Sequence, residues 1–157
     1  MIGIYENAEQ DIAKPSALLY KHWDSYPDEN VPLLTEICTI FQERRGMNDT
    51  EYLAAWVMWW MVNKSVEARK ETYKELKQKG STIAEQYEED GIDCLGYGVS
   101  QEFHADIEWY YRINPGEILV YKVNGWDVKP KEFVLTQTVK IEGEPKNGGG
   151  VLVQPKI

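Results

Sequence analysis

Two histidine–aspartate pairs are the residues of this chain best suited to chemistry. The chain has two histidines, and each stands two positions before an aspartate, which gives His22 with Asp24 and His104 with Asp106. On a β-strand, residues two apart point to the same side, so each pair presents an imidazole beside a carboxylate. Such groups are ligands for Zn, Fe or Mn. If the two strands are neighbours, the four side chains converge on one divalent transition metal, with Glu108 as an acid or base.

The alternative interpretation of these pairs needs no metal. Two histidines among 26 acidic residues produce this spacing readily by chance. Each histidine then forms a hydrogen bond with its aspartate or is an exposed polar residue, and Asp24 lies in a turn-rich segment where aspartate is expected. The sequence therefore favours a protein without catalytic residues or a cofactor, and keeps a metal-dependent enzyme as the alternative.

The sequence contains none of the short motifs by which several enzyme classes are recognised. It contains no P-loop, GxGxxG or GxSxG motif, so nucleotide binding and serine hydrolysis lack the backbone frame that they need. The two cysteines, Cys38 and Cys94, do not have the spacing of a structural zinc site. We expect two reduced, buried thiols, with a single disulfide as the alternative.

A strand is predicted over residues 103–113, where apolar and polar residues alternate. Its even-numbered residues form a polar face that includes His104, Asp106 and Glu108. Tyr110 is an aromatic residue on the same face. We therefore expect Tyr110 to be a contact residue for a partner.

The longest apolar run is 53–62, which contains Trp56, Trp59 and Trp60. A capping-box pattern at Asn48 opens the helix that carries it. Because apolar side chains occur on every face, we expect neighbours to surround this helix, with a first helix on one side and a sheet on the other. The tryptophans are interpreted as core, with a ligand pocket as the alternative.

The remaining elements place helices in the middle of the chain and strands at both ends. The first helix is predicted to be capped by Asn30 and to stop at Gly46, and the tryptophan helix to end at Gly80. Other strands are predicted over 2–5, 17–23, 94–101, 118–123 and 133–141. The predicted fold is α+β, an antiparallel sheet from the N- and C-terminal strands packed on the helices, in one domain over 1–143. Residues 144–157 are predicted to be a flexible tail.

The net charge of -9 disfavours nucleic acid as a partner, because binding to its backbone needs basic surface. Residues 81–116 hold eight acids against one arginine, which is interpreted as a solvated face, with a cation site or a DNA-mimicking surface as alternatives. The N-terminus lacks the pattern of a signal peptide, and the run 53–62 is about half the length that crosses a bilayer. A cytoplasmic protein without a membrane partner is expected.

One segment resembles a known motif. Residues 20–27, Tyr-Lys-His-Trp-Asp-Ser-Tyr-Pro, resemble the YxHWDGYP-type motif of small uncharacterised proteins of phages and prokaryotes, and residues 106–113 resemble the later DIEYxY-type strand of that group. Ser25 stands where the group has glycine. The resemblance implies no activity, but it marks the positions of His22, Asp24, Asp106 and Glu108.

The leading functional hypothesis is an acidic binding protein of prokaryotic or viral origin that acts on an unidentified protein partner, with its homo-oligomeric state left open. Its aromatic excess and its lack of a catalytic motif favour this class over an enzyme. The candidate binding residues are His22, Asp24, Tyr26, His104, Asp106, Glu108 and Tyr110.

Overall fold

A computed structural model describes residues 1–21, 26–83 and 96–143 of the protein. Two helices, α1 (Pro27–Arg44) and α2 (Thr50–Gln78), pack on one six-stranded sheet. The strands are β1 (Ile2–Ile4), β2 (Ala17–Lys21), β3 (Tyr97–Val99), β4 (Trp109–Asn114), β5 (Glu117–Lys122) and β6 (Val134–Lys140). The predicted α+β class is confirmed. The predicted tail 144–157 lies outside the described residues.

The sheet joins the two ends of the chain through β1. This strand pairs antiparallel with β2 and parallel with β4, where Ile4 stands opposite Ile113. The strand order is β3-β2-β1-β4-β5-β6, so β3 and β6 are the two edges. Gly116 at φ 82 closes the β4–β5 hairpin in a conformation that favours glycine.

Helix α1 begins three residues before its predicted cap. Pro27 stands in its first turn, where the fixed φ of proline suits a helix and no backbone donor is lost. Asn30 is instead a buried residue inside the helix, and its side-chain amide donates to the Tyr26 carbonyl oxygen at 3.2 Å. The predicted stop at Gly46 is confirmed, because the helix ends at Arg44 and Gly46 has φ 84.

Helix α2 is capped one residue later than predicted, at Asp49 instead of Asn48. The Asp49 carboxylate accepts a hydrogen bond from the Tyr52 backbone N–H at 3.1 Å and caps the helix. The helix then continues to Gln78, and Gly80 at φ 66 follows it, as predicted. Within the described part of the chain, no helix is long and apolar enough to cross a membrane.

One face of the sheet carries the main core, which the two helices cover. Its helical members are Leu34, Ile37, Cys38, Phe41, Leu53, Ala54, Val57 and Met61, and its sheet members include Ile4, Ile113, Ile118 and Val120. Burial raises the pKa of the Cys38 thiol to about 12, so this cysteine is a protonated core residue. The prediction of a buried, unpaired thiol is confirmed for Cys38. Cys94 lies outside the described residues.

The opposite face of the sheet carries a second core instead of a polar surface. Its members are Met1, Tyr5, Leu18, Ile107, Tyr110, Val123 and Phe133, and loop residues Ile12, Phe103 and Val128 pack on them. The predicted strand 103–113 is therefore wrong in two respects. Strand β4 begins at Trp109, and its even-numbered side chains Tyr110 and Arg112 are buried. Loops cover this face of the sheet. The alternation of apolar and polar residues along a strand cannot indicate that a loop covers one of its faces.

Arg112 of β4 holds one of these loops against the sheet. Its Nη2 donates to the backbone carbonyl oxygens of Ala8 at 2.8 Å and Gln10 at 2.9 Å, and its Nε donates to Asn114 Oδ1 at 2.8 Å. Its guanidinium also lies 4.2 Å from the centroid of the Tyr5 ring. A buried cation is tolerated here because several oxygen acceptors surround it.

Three buried tyrosines predict a loss of stability at alkaline pH. Burial raises the pKa of Tyr5 to about 12 and also raises the pKa values of Tyr110 and Tyr111. The unfolded chain releases these protons near pH 10, before the folded chain does. The stabilisation is therefore complete below about pH 10 and is lost as the pH rises toward 12, at about 1.4 kcal/mol per pH unit for each tyrosine.

Denaturant titrations between pH 8 and pH 12 test this expectation, with phenolate absorbance near 295 nm recorded beside near-UV circular dichroism. The absorbance of the buried tyrosines should rise together with the loss of the dichroism signal. A Tyr5→Phe variant should show a shallower decline of the free energy of unfolding with pH. An unchanged decline in that variant would contradict the assignment to Tyr5.

Candidate functional site

The predicted site residues are only partly within the described structure. His22 and Asp24 lie outside it, so the predicted meeting of the two His–Asp pairs is untested. Tyr26 is exposed at the start of α1. His104 and Asp106 lie on the loop before β4 rather than on a strand.

The His104 ring contacts Tyr20 and Ser100. Its centroid lies 4.1 Å from that of the Tyr20 ring, and Nε2 lies 3.0 Å from Ser100 Oγ. The Ser100 hydroxyl donates to the Glu102 carbonyl oxygen at 2.6 Å. A hydroxyl has one proton, so the histidine Nε2–H is the donor to Ser100. The histidine is then not a base for this serine, and the pair is not an activated nucleophile.

A groove with a volume of about 490 Å³ lies beside this pair, between the loop before β2 and the loop after β3. Lys14, Ser16, Ser100 and Phe103 are among its lining residues. It is lined by two serine hydroxyls. That of Ser100 donates to the Glu102 carbonyl oxygen and that of Ser16 accepts from the Gln10 side-chain amide at 3.3 Å, so within the described contacts neither is paired with a carboxylate. Its chemistry is that of a mixed polar and apolar surface groove.

The acidic members of the predicted site are exposed or paired. Asp106 is exposed, and the Glu108 carboxylate accepts from Lys122 Nζ at 2.5 Å. Within residues 1–21, 26–83 and 96–143, no three His, Cys, Asp or Glu side chains are grouped to hold a metal ion. Because His22 and Asp24 are outside these ranges, the metal hypothesis stays a prediction.

Tyr110 is a core residue, so the expectation that its ring meets a partner is corrected. The side chain is fully buried, and its hydroxyl is hydrogen bonded to the Tyr5 hydroxyl, which in turn donates to the Ile12 carbonyl oxygen at 2.6 Å. The ring also packs against Phe103 and Phe133. Because loops cover this face of the sheet, Tyr110 is a packing residue and not the contact residue that was predicted.

A row of four aromatic rings, two exposed and two half-buried, lies along α2. We call it the aromatic stripe, and it consists of Tyr52, Trp56, Trp59 and Trp60. Trp59 is 41% exposed and Tyr52 is 36% exposed, whereas the other two are half-buried. Ring centroids are 6.3 Å apart from Tyr52 to Trp56, 5.3 Å from Trp56 to Trp59 and 6.0 Å from Trp59 to Trp60.

The exposure of the aromatic stripe shows that the prediction of neighbours on every side of the tryptophan helix is wrong. Leu53, Ala54, Val57 and Met61 are buried against the sheet and α1, and Trp56, Met58 and Trp60 pack partly buried against the same core, but Trp59 is exposed. An α-helix turns 100° per residue, so one sheet and one neighbouring helix cover only part of its circumference. The apolar run therefore has one buried side and one side in solvent.

A cation lies over a ring at each end of the stripe. The Arg45 guanidinium is 4.0 Å from the Tyr52 ring centroid, and it also pairs with the Asp49 carboxylate at 2.9 Å. Lys64 Nζ is 5.0 Å from the Trp60 ring centroid. Tyr52 and Lys64 were not predicted as site residues, although steps of four residues through 52, 56, 60 and 64 place them on one helical face.

The stripe continues into a basic half of the helix. Residues 64–80 contain six Lys or Arg and three Glu, which is a net charge of +3 in a chain whose total is -9. The aromatic rings therefore lie at the border between an acidic body and a basic helical segment. A partner with acidic groups beside apolar side chains complements this surface.

Comparison of the chain with protein-family models, curated proteins and solved structures finds no match. The resemblance of residues 20–27 and 106–113 to the phage and prokaryotic group stays a prediction.

Proposed function

We propose that this protein is a non-enzymatic binding protein of a prokaryotic or viral cell, which acts on a protein partner in the cytoplasm through the aromatic stripe. The observation that carries the proposal is Trp59, which is 41% exposed on a helix whose other side forms the core. Tryptophan, tyrosine and arginine are the residue types that contribute most to protein–protein binding. The stripe with Arg45 brings all three types together.

A protein fits this surface better than a nucleic acid does. Bases bind aromatic side chains by stacking on their faces, but Arg45 and Lys64 already lie over the Tyr52 and Trp60 rings. The net charge of -9 also opposes a polyanion. A protein segment with apolar side chains can pack on Trp59 while its carboxylates approach the two cations.

Site-specific photo-crosslinking in the native host tests the proposal. A benzoylphenylalanine at position 59 should give a discrete crosslinked product, whereas the same group at position 126 should not. Trp126 is a suitable control because it is 80% exposed but contacts no other ring in the described structure. The crosslinked protein is then purified, and its binding to the unmodified chain is measured by calorimetry.

We expect a Trp59→Ala change to weaken that binding at least tenfold, since a central interface tryptophan contributes about 2 kcal/mol. A Trp126→Ala change should leave the dissociation constant unchanged. Equal effects of the two substitutions, or no specific crosslink at position 59, would refute the stripe as the contact surface.

The metal-dependent enzyme is retained as a second candidate because of the contact between Tyr20 and His104. Tyr20 precedes His22 by two residues, which span at most about 7 Å of chain. This contact brings the chain leading to the first His–Asp pair close to the second pair. Metal analysis of protein purified without a histidine tag tests the idea. A stoichiometric transition metal, lost in a His104→Ala variant, would support it, and metal-free protein with EDTA-insensitive melting would exclude it.

A further inference from the structure

The connection between β5 and β6 contains an asparagine that is followed by a glycine, Asn124 and Gly125. Both residues are exposed. In the described part of the chain, no other asparagine is followed by glycine. The side-chain amide of an asparagine lies close to the backbone nitrogen of the next residue, and the two groups can react with each other. This pair is therefore a candidate for covalent modification without an enzyme.

Glycine after asparagine favours the reaction, because no side chain hinders the approach of the backbone nitrogen. The nitrogen of residue 125 attacks the Cγ carbonyl carbon of Asn124, a bond forms between these two atoms, and the bond from Cγ to Nδ2 breaks. The side-chain nitrogen leaves as ammonia and takes up the proton of the attacking amide. Water then opens the cyclic succinimide at either of its carbonyl carbons, which gives aspartate or isoaspartate. The net reaction consumes one water and needs no oxidant, reductant or cofactor.

The fold leaves the attacking nitrogen free. Among the described residues, nothing accepts a hydrogen bond from the Gly125 backbone N–H, and nothing is bonded to the Asn124 side chain. The residues on either side are held, since the backbone N–H groups of Val123 and Asp127 donate to carbonyl oxygens of the segment before β4 at 2.9 Å and 3.2 Å. The reacting pair lies between these two fixed points, outside the β5–β6 ladder.

The surroundings of the pair are also open. Gly125 has φ 117, a value that favours glycine. A Cβ atom built on this residue would have one neighbour within 4 Å, the Val128 side chain at 3.5 Å. Packing therefore does not close over the pair, and water can reach the succinimide.

We propose that Asn124 is a spontaneous modification site of the folded protein, at which the side-chain amide is lost and aspartate and isoaspartate form. The reaction changes the net charge from -9 to -10, because one carboxylate replaces a neutral amide. The new carboxylate lies three residues before Asp127, whose own carboxylate is paired with Lys129 at 3.0 Å. Isoaspartate also adds a methylene group to the backbone of this loop. The site is independent of the aromatic stripe, which lies on α2.

Asn7 is the matched comparison within the same chain. It is also exposed, but its Oδ1 accepts hydrogen bonds from the backbone N–H groups of Glu9 at 3.1 Å and Gln10 at 2.9 Å. The methyl group of Ala8, which follows it, hinders the approach of the backbone nitrogen. We expect Asn124 to lose its amide at least about tenfold faster than Asn7 in the folded protein.

Incubation of the full chain at about pH 8 tests the proposal, with peptide mapping by mass spectrometry and an isoaspartyl methyltransferase assay as readouts. An Asn147→Gln background removes the second asparagine–glycine pair of the sequence, which lies outside the described residues. Product should accumulate at position 124 within about threefold of the rate in concentrated urea, because the fold does not protect the pair.

Asn124→Gln in the same background is the control variant. Glutamine forms the corresponding ring far more slowly, so this variant should accumulate no isoaspartate at position 124 and no more acidic species on ion exchange. Circular dichroism checks that both proteins are folded. An amide at position 124 that is kept in the folded chain but lost in urea would overturn the proposal, as would equal amide loss at Asn7 and Asn124.

Discussion

A Gly3→Ala substitution should lower the free energy of unfolding by about 3 kcal/mol. A Cβ atom at position 3 would overlap the Tyr110 hydroxyl oxygen and would lie 2.8 Å from Tyr110 Cζ and 2.9 Å from Tyr5 Cε2. Gly3 belongs to β1, which is bonded on both sides, so the strand cannot move away without breaking a ladder. The two tyrosines are fully buried and have no free space to enter.

Urea denaturation of Gly3→Ala beside Gly98→Ala measures this effect. Gly98 is also a strand glycine, but a Cβ there would meet nothing within 4 Å, so its substitution should change stability by less than about 0.5 kcal/mol. Adding Tyr110→Phe to Gly3→Ala removes the overlapping oxygen and should restore part of the loss. Equal stabilities of the two alanine variants would show that the strand relaxes freely.

An Arg112→Met substitution should be destabilising by about 3 kcal/mol or more. Methionine keeps apolar contact with the Tyr5 ring but donates no hydrogen bond. The carbonyl oxygens of Ala8 and Gln10 and the Asn114 amide oxygen would then lose a charged donor in a buried place. The loop over this face of the sheet should open, because Arg112 bonds it to β4.

An Arg112→Lys variant separates charge from geometry. Lysine keeps the positive charge, but one ammonium group cannot reach both the loop carbonyls and Asn114 as the planar guanidinium does. We expect an intermediate stability, and hydrogen exchange should be faster in residues 6–16 of both variants. Exchange in that loop at the wild-type rate in Arg112→Met would contradict the role assigned to Arg112.

The elements of this fold could largely be predicted from local patterns. Gly46 and Gly80 mark helix ends because glycine extends the backbone choices at a single residue, whereas the start of α1 at Pro27 was missed because the cap was predicted at Asn30. The α+β class followed from helical spacing in the middle of the chain and from strand signals at both ends. What remained open was the insertion of β1 between β2 and β4, since strand pairing between distant segments has no local signature.

For the candidate site, only the residue types could be predicted from the sequence. The sequence identified the tryptophan run, but it could not indicate that Trp59 faces solvent, because coverage of a helix depends on how many neighbours surround it. The same reason explains the opposite error at Tyr110, where loops cover a strand face that alternation predicts to be polar. Residue type and spacing thus determined which segments become helices and strands. Only the packing of distant segments decided which of their sides met water, since burial is a property of the neighbours and not of the residue itself.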